Sequence, residues 1–528
     1  MRPRAAQSAA GRGAISALLG LATALAAPAC AAVALADLVP ALGSRLDGPS
    51  GTSRFGTQLA ALGDVDGDGY DDIAIGAPAQ PHGSTPEAGA VYLVYGTSVG
   101  VPAADFDAPA SATFTRIERG TAAANTAVGA AVVAVGDMDG DGHADLAIGS
   151  ALGEFNGTTP GRAWVVRGRA ARPALIDLDS DAQTTTLTGA TVGDGFGLTL
   201  AGGGDLNGDG RPDLAIGAVY ADSFAGQTLV LYGAPILPAS ADATAFSGNL
   251  GMRFTDSATF DLSGIALALG GDVNGDGVDD LVIGALGPTD DASNCVGGAF
   301  VVFGRTGGWS GAVDVQTLAY GQGARVLGRF YPASGANSAG SAVAILGDQN
   351  GDGMDEVVVA DPDASPLGRG LAGAVAVIYG SRQWPTTLGF GDLDGQSGYR
   401  LYGAAAGDKF GDALAAADLN GDGVADLAVA AVQRANNTSL GSGRVFVHFG
   451  RAREAAERDL APWLAGGGLG EIYLPPAQTT DFGSVQAACR SCVSGPRLLL
   501  GAAALDAGRG AAWLLKRSDR IFQDGGEP

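Results

Sequence analysis

The sequence predicts an all-β protein, a seven-bladed β-propeller of four-stranded blades. Three observations carry that expectation. An acidic ten-residue segment recurs six times with a period of about 70 residues. Each copy is flanked by short aliphatic runs bounded by Gly or Pro, which read as strands rather than helices. The 87 glycines in 528 residues, with 46% hydrophobic and 16% charged residues, favour many tight turns and argue against disorder.

At the N-terminus, Arg2, Arg4 and Arg12 precede an apolar run from Ala14 to Ala27 that is followed by small residues. Residues 1–36 therefore read as an export signal, with cleavage expected after Ala36 in Ala34-Leu35-Ala36. A membrane anchor fits less well, because the strongly apolar part is short and alanine-rich. Cys30, after Ala27-Pro28-Ala29, stands where a lipidated cysteine would, but the leucine such a site requires is missing. No later stretch is long and apolar enough to span a bilayer. Residues 37–528 are expected to form a single exported propeller that is extracellular, at the cell surface or periplasmic. The formal charge of −25, made more negative by three once the leader arginines are lost, disfavours nucleic acid, whose phosphates need a basic surface. A divalent cation is the more natural counterion.

The repeated segments are GDVDGDGYDD at Gly63, GDMDGDGHAD at Gly136, GDLNGDGRPD at Gly204, GDVNGDGVDD at Gly271, GDQNGDGMDE at Gly347 and ADLNGDGVAD at Ala417. In each unit one apolar run (TQLAALG in the first) enters the acidic loop and a second (DIAIG) leaves it. A third (GAVYLVYG) and a fourth (ATFTRIERG) follow before the next unit. Four strands per radial repeat is the plan of a propeller blade. Units begin near residues 55, 128, 196, 263, 339, 410 and 482, and the seventh has RSCVSGPR where its acidic loop should be. Ser44 to Asp47 are placed to close the ring against Gly510 to Leu515, which would remove free sheet edges.

The loops share the spacing Asp-x-Asp/Asn-x-Asp-Gly-x-x-Asp/Glu. Side-chain oxygens at positions 1, 3, 5 and 9 of a tight loop, with glycine at position 6 to turn the backbone, suit Ca²⁺. The candidate ligands are Asp64, Asp66, Asp68 and Asp72; Asp137, Asp139, Asp141 and Asp145; Asp205, Asn207, Asp209 and Asp213; Asp272, Asn274, Asp276 and Asp280; Asp348, Asn350, Asp352 and Glu356; and Asp418, Asn420, Asp422 and Asp426. Up to six Ca²⁺ ions are expected. An EF-hand begins alike but needs an acidic residue at position 12 and flanking helices. Position 12 is Ile75, Ile148, Ile216, Ile283, Val359 and Val429, so that reading fails in all six copies. A solvated Asp-Gly turn would account for one copy but not for six with the same four ligand positions.

With these motifs in view, the chain resembles the FG-GAP repeat family, the calcium-binding seven-bladed propeller found at the head of integrin alpha subunits and in related bacterial exported proteins. The resemblance rests on Phe55-Gly56 with Gly76-Ala77-Pro78, on the six acidic loops, and on the Phe-Gly pairs beginning at Phe196, Phe410 and Phe482. It implies that the loops are turns between the first two strands of a blade and that partners bind elsewhere on the disc. Val128-Gly129, Ser263-Gly264 and Ala339-Gly340 depart from Phe-Gly, and no leg domains follow. An integrin-like bacterial protein fits better than an integrin subunit.

Other signals are weaker. Gly96-Thr97-Ser98-Val99-Gly100 matches the nucleophile pattern of hydrolases but lacks the strand-to-helix turn that chemistry requires. His82, His143 and His448 fall in different units, so no histidine-based catalytic or zinc site forms in the sequence. Cys489 and Cys492 lie where the seventh acidic loop is missing and suit a structural disulfide. The expected function is a non-enzymatic adhesion or protein-binding platform whose partner is an extracellular or envelope protein. The alternatives are a glycan-binding propeller, hinted at by Trp309, Trp384 and Trp463 in connecting segments, and a glycan-acting enzyme at the channel, which would need paired carboxylates there.

Overall fold

The computed structural model describes residues 31–34 and 43–515, apart from 103, 108–112, 122–125, 151–158, 289–294, 310, 330, 332–336, 436–437, 440–442, 452–453, 466–469, 475–481, 483–485, 489–497 and 503–508. Seven antiparallel four-stranded units stand around a central channel, as expected. In blade 1 the strands Gln58–Gly63, Asp72–Ala77, Ala90–Val94 and Phe114–Glu118 run from the channel outward in chain order. Blades 2 to 6 repeat that order.

The second strand of a blade is covered on both faces by neighbouring blades. Its sequence is accordingly a continuous apolar run rather than an alternation: DIAIGA, DLAIGS, DLAIGA and DLAVAA are buried at every position. The core consequently lies between sheets. Ala74, Val91 and Leu93 of blade 1, for example, pack with Leu146, Ile148 and Trp164 of blade 2.

The first strands face the channel, where a cavity of about 720 Å³ is walled by Leu, Val, Ile, Ala and Gly with Asp279 at the acidic-loop end, and an adjoining cavity of about 280 Å³ is lined by Gln58, Ser341 and Asp412. Leu59, Val132, Leu200, Leu267, Val343 and Leu414 occupy equivalent places opposite the position-12 residues and ring the larger cavity.

Blade 7 is assembled from both ends of the chain. Gln486–Ala488, Leu498–Ala502 and Ala511–Leu515 supply three strands, and Gly43–Asp47 pairs antiparallel with Ala511–Leu515 as the fourth. The expected ring closure is thereby met. Blades also join where the Phe-Gly pair of one, or the pair standing in its place, meets a glycine of the one before: Val128 bridges Gly89, Phe196 bridges Gly161, and Phe55 bridges Gly510 across the closure. At Gly89, with φ of +81°, a Cβ would lie 2.2 Å from the Val128 nitrogen, so only glycine admits this approach.

The sheets differ from the four-stranded expectation in one respect. Blades 1 to 6 each carry a fifth, parallel strand on the outer edge. In blade 1 it is Leu175–Asp177, which comes from the connection between the third and fourth strands of blade 2. Three-residue strands of this kind carry too short a pattern to read from sequence.

Candidate metal centre

Each acidic loop is the turn between the first and second strands of its blade, so all six lie on one rim of the disc. The first residue of the loop organises it. In the first loop Asp64 Oδ1 accepts from the Gly67 and Asp68 amides at 2.7 and 3.1 Å, and Oδ2 from the Gly69 amide at 2.8 Å. Asp66 Oδ1 accepts from the Asp68 amide, and Asp68 Oδ1 from the Tyr70 amide. The same ladder holds in the loops led by Asp137, Asp272, Asp348 and Asp418. The loop at Asp205 keeps the bonds from the Asp209 and Gly210 amides.

Position 9 is wholly buried and is the first residue of the second strand, or in blade 4 the residue just before it. Asp72 Oδ2 accepts from the Val65 amide at 3.0 Å and Oδ1 from the Gly96 amide at 2.7 Å, tying the loop to the end of the third strand. Asp145, Asp213, Asp280 and Asp426 do the same with Gly168, Gly233, Gly304 and Gly450. Burial raises these carboxyls to about 7 for Asp72, Asp145 and Asp426 and to about 8 for Asp213 and Asp280; neighbouring loop carboxylates add to the shift. Glu356 goes higher, to about 9, again through burial. Its Oε1 takes the Gln349 and Asn350 amides, while its Oε2 is buried with no hydrogen-bond partner. A buried carboxylate oxygen left without a donor is a group that a cation would satisfy.

The repulsion within the loops is relieved differently from blade to blade. Where position 3 is Asn, its amide donates to position 5: Asn207 to Asp209, Asn274 to Asp276, Asn350 to Asp352 and Asn420 to Asp422, at 2.9 to 3.1 Å. In the first loop positions 3 and 5 are both Asp, and Arg172 of blade 2 reaches across to bond Asp66 and, at 2.6 Å, Asp68. Its guanidinium lies over the Tyr95 ring, 4.6 Å from the centroid. In the second loop Arg167 stands 3.9 Å from Asp139, and His143 Nδ1 lies 3.2 Å from Asp141.

The donor set fits a hard cation. One carboxylate oxygen from each of Asp64, Asp66 and Asp72 lies within 4.8 Å of the others, and Asp137, Asp139 and Asp145 form a second such group. Asp68 and Asp141 are not part of these triads. The residues at position 12 are fully buried in the second strands.

Position 8 is a role that sequence reasoning missed. Asp279 Oδ2 accepts from the Asp205 amide of the preceding loop at 2.8 Å and Oδ1 from the Gly271 amide of its own loop at 3.0 Å. Asp355 likewise bridges the Asp272 and Asp348 amides. Nothing in the spacing separates such a staple from a spacer, because its partner lies in another blade.

Several weaker signals resolve as structure. Trp309, Trp384 and Trp463 are buried, and the first two donate through Nε1 to the carbonyls of Phe303 and Val273, so the hint of a glycan platform they offered is withdrawn. The segment Gly96 to Gly100 is a turn closed by the Gly100 amide on the Thr97 carbonyl. Cys30, Cys489 and Cys492 lie outside the described residues, and Cys295 is a free, exposed thiol.

Comparison with known proteins agrees with this architecture. The FG-GAP repeat model matches residues 55–94, 129–166, 196–231 and 410–448. Phosphatidylinositol-glycan-specific phospholipase D of Bos taurus is 31% identical over 172 residues, 32% of this chain and 19% of that protein. Integrin alpha-5 of Xenopus laevis is 32% identical over 194 residues, 36% of this chain and 16% of the integrin. Human integrin alpha-IIb is 30% identical over 208 residues, 37% of this chain and 17% of that protein. The matched region thus spans less than a fifth of each relative. The protein is a seven-bladed β-propeller with FG-GAP repeats and with similarity to integrin alpha chains.

Proposed function

We propose that this protein is an exported, calcium-stabilised propeller that serves as a non-enzymatic platform for binding another extracellular or envelope protein. The observation that carries the reading is the sixfold loop geometry, in which a buried position-9 carboxyl, held up by desolvation, stands beside further oxygen donors. Ca²⁺ on such a loop would be held by the side chains at positions 1, 3, 5 and 9 and would neutralise charge at each hairpin. Six ions would offset about half of the formal −25.

The binding role is supported by similarity to proteins named integrin alpha. The relative named a phospholipase D keeps an enzymatic reading in view. The channel wall argues for the platform: the Asp279 oxygens are both engaged by backbone amides, and the other carboxylate lining the channel among the described residues, Asp412, lies toward the opposite end. Among the described residues no helix is long and apolar enough to cross a membrane.

Calorimetric titration of the chelator-stripped protein with Ca²⁺, with metal content read by mass spectrometry, tests the reading. Several bound ions, up to six, are expected; no uptake at millimolar Ca²⁺ would overturn it.

A further inference from the structure

Blades 1 to 5 each receive their fifth strand from the next blade: Leu175–Asp177, Ser240–Asp242, Ala312–Asp314, Thr387–Gly389 and Glu457–Asp459. Every one of these lies in the donor blade between its third and fourth strands, runs parallel to the acceptor, and pairs with the last three residues of the acceptor's fourth strand. For blade 6 the donor is blade 7, whose fourth strand, Gly43–Asp47, comes from the start of the chain. The place between its third and fourth strands is therefore filled by residues after Leu515 or before Gly43. Ala31–Ala34 occupies that place, parallel to Glu471–Leu474, with Ala34 opposite Leu474. In topology, direction and register it is the sixth member of the series.

Cleavage after Ala36 would remove this strand and leave the outer edge of Gly470–Leu474 without the partner that every equivalent edge in blades 1 to 5 has. A second small-x-small site lies upstream, Ala27-Pro28-Ala29, immediately after the apolar run. It gives a leader within the usual span of about 15–30 residues, which a cut after Ala36 exceeds.

We propose that the export signal ends at Ala29, so that the mature chain begins at Cys30 and keeps Ala31–Ala34 as the outermost strand of blade 6. Hydrolysis of the Ala29–Cys30 peptide bond consumes one water, leaving a carboxylate on the leader and a free amine on Cys30. The inference rests on the export part of the proposed function and on no property of the metal loops.

The test is to express the full chain with its own leader in a secreting bacterial host and to read the N-terminus by sequencing and intact mass. A start at Cys30 is expected. A start at Asp37, or anywhere beyond Ala31, overturns the inference while leaving export intact; an uncleaved Met1 start overturns the export reading instead. A second measurement compares leaderless chains beginning at Cys30 and at Asp37. The shorter chain should melt several degrees lower, and its Ile472–Leu474 amides should exchange roughly tenfold faster. Equal melting and equal exchange would show that the strand contributes nothing to the mature fold.

Discussion

The two rims of the disc answer the same problem in opposite ways. Both must turn the chain sharply in every blade and fasten each blade to the next. The acidic rim does so with carboxylates: position 1 gathers the amides of its own loop, position 9 ties the loop to the third strand, and Asp279 and Asp355 staple one loop to another. The opposite rim uses close backbone approach, with Phe55, Phe196 and Phe410 wholly buried and glycines such as Gly89 admitting the next blade. One rim is held by charged groups and the hydrogen bonds they accept; the other is held by packing.

Removing metal should produce the largest effect and should fall on one rim only. In excess chelator the melting temperature is expected to drop on the order of 10 °C, since each lost site forfeits its binding free energy. Hydrogen exchange should rise in the acidic loops before it rises at the Phe-Gly junctions. An unchanged melting temperature would remove the metal from the account.

Phe196→Ala attacks the other rim. Phe196 is fully buried in the core shared by blades 2 and 3, so truncation should cost about 3–5 kcal/mol, equally with and without Ca²⁺, as read by denaturant unfolding. A calcium-dependent cost would mean that the rims are coupled. Asp213→Ala is the counterpart on the acidic rim: it strands the Leu206 and Gly233 amides and should cost about 2–4 kcal/mol in Ca²⁺ and measurably less in chelator.

His448 adds a pH response near the sixth loop. The ring is buried against Tyr399 and Trp463, with Glu454 at 3.3 Å and Arg451 and Arg458 on that same carboxylate. Burial pushes its pKa down to about 4, below the unfolded value of 6.5. The unfolded chain therefore binds the extra proton first, and stability present above about pH 6.5 is lost as pH falls toward 4, by about 3 kcal/mol. His448→Phe should flatten the stability profile across that window; an unaltered slope would show that His448 does not carry the loss, and the loop carboxyls, raised by burial, would not supply it, since their protonation favours the folded state. The smallest effect is expected from Asp279→Asn, which weakens one interloop staple by about 1 kcal/mol and should lower Ca²⁺ affinity at the third and fourth loops rather than at the others.

The sequence by itself determined the repeat, the blade count, the all-β class and the place of the acidic loops, because each of these is local. Turn residues, strand runs and the Asp64-to-Asp72 spacing act within a dozen residues, and six copies average out the ambiguity of one. The aliphatic residues at position 12 were as telling as the acids, since a fully buried strand reads as an unbroken apolar run. What only the tertiary structure decided is everything that joins one blade to another: Arg172 reaching into the first loop, Asp279 bridging to Asp205, the burial of Trp309 and Trp384, and the strands lent between blades. Those contacts pair residues far apart in the chain, through short segments with no period of their own. Ala31–Ala34 is the clearest case: four apolar residues in a stretch that reads as a leader become a strand only because the fold holds an edge open for them.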